Sequence, residues 1–296
     1  MEFRGRAVLA VGGVLLLAAC SGGGGEGAAA PSASATPYGT VLSQALEPVG
    51  TGLGKVAAAT TARDAGLALS ALQSNADRAV RGVQSAAPPA GAEAARADLV
   101  AGLNALSAEA SKIREDVFGY RICSAGFVQA KLGVGPGLTA TRAAVAKLAA
   151  AGHQAVLTVP KLPEPQPVPR ALENGAVVTD GGNQGKGELT FENGGQVDAV
   201  VSIVLDGRTV ASAYVAKGRP ATISGVKEGS YDFHVTIGVD WDSEARQFTQ
   251  NCLFANVGEK REFGPGGTTW TVKVPTADGR DGADVRFETV ESFPQP

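Results

Sequence analysis

Histidine, methionine and aromatic side chains are scarce in this chain. Among 296 residues there are two histidines, one methionine, and Phe, Trp and Tyr amounting to 5%. The histidines, His153 and His234, have no His or Cys at ligand spacing, so no zinc pattern forms. There is no C-x-x-C pair and no G-x-S-x-G elbow. Gly185-Lys186 ends a glycine-rich stretch, but glycine follows the lysine and the spacing is one short, so it is no phosphate loop. The acidic residues, 29 against 26 Lys and Arg, leave a net charge of −3 without a basic cluster, which argues against nucleic acid as a partner. Nothing selects a pair of glycosidase carboxylates. No apolar run approaches the roughly twenty residues needed to span a bilayer. The expectation is a protein that is not an enzyme, with no catalytic residue, cofactor or metal.

What is present begins with the first twenty residues. Arg4 and Arg6 form a short positive stretch, and an apolar run from Ala7 to Leu17 leads to Leu17-Ala18-Ala19-Cys20. That run is too short to cross a membrane and has the layout of a signal peptide. Gly5 separates the arginines, so the pair is not a twin-arginine signal. The tetrapeptide resembles the bacterial lipobox. The resemblance implies that Cys20 receives diacylglycerol, becomes the N-terminus after residues 1–19 are removed, and holds the protein on the outer face of the cell membrane. One acyl chain binds a bilayer marginally, whereas two anchor stably. Residues 20–37, rich in Gly, Ala, Ser and Pro, read as a solvated tether.

Beyond Cys20 the cysteines number two, Cys123 and Cys252. In an exported protein an even pair is a possible disulfide, which would staple two parts of the chain together. The other reading is two buried thiols packed as small hydrophobes.

The hydrophobic period changes along the chain. Over residues 38–155 apolar residues recur at helical spacing. They run Leu42, Leu46, Val49, Leu53 and Val56, then Ala65 to Val83 after Thr60 and Thr61, then Leu99 to Tyr120, then a weaker segment from Thr139 to Ala151. Thr60 and Thr61 are placed to cap the second helix, and Pro88-Pro89 breaks the chain before the third. Four amphipathic helices imply an antiparallel helical bundle. Residues 156–186 read as a linker: five prolines between Pro160 and Pro169 suggest a semi-rigid spacer, and glycines follow. From 187 to 292 the period is two. Val201, Ile203 and Leu205 precede an Asp206-Gly207 turn, and Tyr231 to Trp241 alternate, with His234 expected on a solvated face. The fold class expected is α+β: a helical bundle followed by an antiparallel β-sandwich.

Two stretches carry resemblances. Val226 to Phe233, with Gly229 and Tyr231, is similar to the turn and strand of prealbumin-like and carboxypeptidase-regulatory-like sandwich domains. Tyr214 to Gly218 with Gly238 to Asp242 and Arg246 to Thr249 looks like a β module of actinobacterial exported proteins of unassigned role, and the helical half resembles the bundle accompanying it. These imply a binding or structural lipoprotein of the cell envelope, meeting another envelope protein, and bring no catalytic residue. The alternative is a cell-wall glycan-binding lipoprotein. Trp241 would then be the stacking surface and Asp240 and Asp242 the flanking contacts. Two acidic clusters, Asp240 to Glu244 and Asp278, Asp281 and Asp284, offer oxygens for calcium, but neither has the loop pattern with a closing glutamate. They read as solvated turn carboxylates.

Overall fold

Leu, Val and Ala at intervals of three and four lay one apolar stripe along a helix and drive it onto its neighbours. In the computed structural model, which describes residues 37–182, 184–276 and 285–287, five helices result: α1 (Tyr38–Ala58), α2 (Ala62–Ser85), α3 (Glu93–Phe118), α4 (Ala125–Gly133) and α5 (Pro136–Ala150). Cys20, its tether, and Asp278, Asp281 and Asp284 lie outside the described residues. The helix beyond the four expected is α4. Its nine residues are too few to display a period, although Val128 and Leu132 are buried.

Local chemistry sets the helix boundaries. Thr61 caps α2, accepting from the Asp64 N–H at 3.0 Å while its hydroxyl donates to the Asp64 carboxylate at 2.8 Å. Pro136 opens α5, and the Gly137 N–H donates to Glu109 at 3.0 Å. A Cβ on Gly137 would lie 2.5 Å from the Leu106 nitrogen, so the close crossing of α3 and α5 requires glycine there. The bundle core is aliphatic: Leu42, Leu46, Leu69, Leu72, Leu99 and Leu103 are fully buried.

The two ends of the stretch expected to be a linker are packed. Leu157, Val159 and Leu162 lie against the bundle core, and the Val156 N–H donates to Ser43 of α1 at 2.9 Å. Leu172, Ala176 and Val178 lie against the sheet, and β1 (Val177–Thr179) pairs with the strand Arg208–Val215. Between these packed ends Pro163, Pro165, Pro167 and Pro169 stay exposed, as suits a residue that lacks an N–H and resists both helix and sheet. The helical and β halves form one compact unit.

The remaining strands are β2 (Gly187–Glu192), β3 (Asp198–Leu205), β4 (Arg208–Val215), β5 (Pro220–Val226), β6 (Gly229–Asp242), β7 (Gln247–Val257), β8 (Arg261–Phe263), β9 (Thr269–Lys273) and β10 (Val285–Phe287). One sheet has the order β1-β4-β3-β6-β7-β10 with β8 on β6, and the other is β5-β2-β9. Pairing is antiparallel except between β2 and β9, which run parallel. Asp206 and Gly207, at φ 51° and 76°, make the β3–β4 hairpin expected from the Asp-Gly pair. Phe191 of β2 meets Phe233 of β6 edge-on at 5.9 Å in the core between the sheets.

Two expectations for β6 fail. His234 is 6% exposed rather than solvated, because β6 is central and its neighbours in register are Ser202 and Asn256. Tyr231, Phe233, Val235 and Ile237 point into the sandwich, but Trp241 joins Val200, Tyr214, Phe248 and Cys252 on the opposite face. The pairing with β7 shifts between Ile237 and Val239, and Asp240 takes φ 63°, so the alternation of faces is broken before Trp241.

Candidate functional site at the junction of the halves

The residues singled out by sequence gather where the bundle meets the large sheet. Residues 120–123, leaving α3, run beside β7 and are joined to it by one bridge and a few backbone hydrogen bonds. The Cys252 N–H donates to the Tyr120 carbonyl at 2.9 Å and the Cys123 N–H to Thr249 at 2.8 Å, with Ile122 bridged to Gln250. Cys123 and Cys252 are joined by a disulfide that spans 129 residues of sequence.

Asp240 lies beside this seam with a fully buried side chain. Its Oδ1 accepts from the Arg170 backbone N–H at 2.8 Å and from Arg170 Nε at 2.9 Å; its Oδ2 accepts from Arg170 Nη2 at 2.7 Å and from the Thr249 hydroxyl at 2.6 Å. Burial by itself would raise this carboxyl's pKa. The bonds from Arg170 and Thr249 outweigh it and hold the group below the usual carboxylate range. Asp242 closes the β6–β7 turn, its Oδ1 accepting from the Glu244 and Ala245 N–H groups at 3.0 Å, while its Oδ2 accepts from Arg170 Nη1 at 3.5 Å. With Asp240 saturated by four donors and Asp242 capping a turn, the carboxylates do not converge on a ligand or a calcium ion. Among the described residues no group of three His, Cys, Asp or Glu side chains is arranged to hold a metal ion.

Trp241 is 2% exposed, with Phe248 at 5.1 Å and Tyr214 at 6.2 Å between ring centroids. A sugar needs an open aromatic face, so this ring is no stacking platform. Tyr214 is itself fixed: burial first, then its bond to Asp198, push its hydroxyl above the ordinary tyrosine range.

Two cavities flank the seam. One of about 1000 Å³ lies between α4 and the proline segment, with Lys131, Glu164, Asp242 and Glu244 in its walls. The other, of about 560 Å³, is bounded by the start of α2, the end of α3, Cys123 and Phe254. Sequence reasoning missed Arg170, Phe118 and Tyr120 as junction residues. Arg170 had a faint signal, being the one Lys or Arg between Leu162 and Gly185. Tyr120 was hidden at the tail of the α3 stripe, where it read as core, and Phe118 stood outside the stripe with no signal of its own. Comparison with protein-family models, curated proteins and solved structures gives no match for this chain.

Proposed function

We propose that this protein is a non-catalytic lipoprotein, anchored through diacylglyceryl-Cys20 to the outer face of the cell membrane, whose joined body has a binding or structural role in the cell envelope. The observation that carries this reading is cysteine usage. Of three cysteines, Cys123 and Cys252 are bonded to one another, as suits an oxidising compartment, and Cys20 stands in a lipobox-like tetrapeptide ahead of a glycine-rich tether. Among the described residues no helix is long and apolar enough to cross a membrane. The non-catalytic reading draws on Asp240, a buried acid whose hydrogen-bonding capacity is spent on structure. The glycan alternative loses its first surface with Trp241 enclosed. Export of the chain with and without Cys20→Ser tests the anchor: the native protein should fractionate with membranes and yield an acylated N-terminal peptide by mass spectrometry, and the variant should be released. Equal membrane retention of the two, or an unacylated Cys20, would refute it.

A further inference from the structure

Phe118 and Tyr120 are large apolar side chains left 47% and 40% exposed, side by side at the end of α3. Both are held firmly. A Cβ on Gly66 of α2 would come within 3.1 Å of Val117 Cγ1 and 3.3 Å of the Phe118 ring, so that ring rests on bare helix backbone. Tyr120 has φ 56°, a left-handed conformation that costs a bulky residue about 1–3 kcal/mol and persists only where its surroundings enforce it. Here the bond from Cys252 to its carbonyl and the pairing of residues 121–123 with β7 enforce it, and its ring meets Phe254 edge-on at 6.4 Å.

The cavity of about 560 Å³ opens between these rings. Its size and largely apolar lining match those of sites for small molecules. Its polar margin consists of Thr60, Thr61, Gln247 and Arg63, of which Arg63 alone is charged and already has a partner. Walls drawn from both halves and tied through Cys123 are preorganised, so little ordering is needed on binding. We infer that this cavity binds a small molecule with an apolar body, an acyl chain or a fused-ring system, stacked against Phe118 and Tyr120. The inference rests on the junction alone and is independent of membrane anchoring.

The full chain carrying Cys20→Ser, which has no acyl groups of its own, can be titrated with the neutral fluorophore N-phenyl-1-naphthylamine. Saturable one-to-one enhancement is expected. Phe118→Ser should weaken it tenfold or more. So should Ala245→Trp, which fills the mouth from an exposed turn without touching the core, and both variants should keep a cooperative thermal transition. Displacement by 1-monolauroylglycerol assigns the site to chains and displacement by 2-naphthylmethanol to rings; either supports the inference. It is overturned by an absence of saturable binding, by affinity unchanged in Ala245→Trp, or by displacement with chitotriose and with neither apolar competitor.

Discussion

The two halves of this protein solve the packing problem with different side chains. The bundle buries leucine, valine and alanine with no aromatic among its fully buried residues, and its helices close on small contacts such as Gly137 against Leu106. The β half holds the fully buried aromatics, including Phe191, Phe233, Tyr214, Phe248 and Phe263, and fills both faces of its larger sheet. The difference shows where each half is vulnerable. Aliphatic seams tolerate the loss of a methylene better than an edge-on aromatic pair tolerates the loss of a ring, because the ring leaves a larger void. It also shows why the halves are stapled: the aromatic layer on the sheet's outer face is closed by Cys123 and by Leu172, Ala176 and Val178, residues that lie outside the sandwich itself.

That comparison can be broken or sharpened by experiment. The largest effect is expected from Phe233→Ala, which removes half of the Phe191–Phe233 pair and should cost about 3–5 kcal/mol in denaturant unfolding. An equally buried aliphatic, Leu103→Ala, should cost less; a larger loss from the leucine would contradict the contrast. Next comes the staple. Cys123→Ser with Cys252→Ser should cost about 3 kcal/mol and, in calorimetry, split one transition into separate meltings of bundle and sheet. A single transition at the native temperature would show that the halves are held by packing alone.

Asp240→Asn should cost about 2 kcal/mol, because Arg170, about one-third exposed, would lose its nearer charge partner and keep only Asp242 at 3.5 Å. The Asp240 carboxyl is depressed in the folded state. Its contribution is therefore present above the unfolded pKa of about 3.9 and is lost as pH falls through the lower folded value. The stability gap between native protein and variant should thus be constant near neutrality and close only in strong acid; a gap that closes already at pH 6 would contradict this. The smallest effect is at the α2 cap. Thr61→Ala should cost about 1 kcal/mol, read as a shift in the denaturant midpoint with unchanged slope.

Much of this was legible in the residues. The 3.6-residue stripes gave α1, α2, α3 and α5, Thr61 gave a cap, and Asp206-Gly207 gave a hairpin, since each depends on neighbours a few positions apart. The junction was not legible in the same way. Asp240 and Trp241 stood out as an acid beside an aromatic at a strand end, which suggested an open contact surface. Whether such a pair meets water or a buried arginine depends on Arg170, seventy residues away.

Sequence alone determined the helical and β periods, the order bundle then sandwich, and the lipobox-like cysteine, because these are local patterns of side-chain size, polarity and spacing. Tertiary structure decided which face Trp241 occupies, that the segments flanking the prolines are packed, that Cys123 meets Cys252, and that Phe118 and Tyr120 line a cavity. Those outcomes are set by contacts between distant segments. A single left-handed residue such as Asp240 or Tyr120 redirects the chain after it, and a short-range pattern carries no record of that turn.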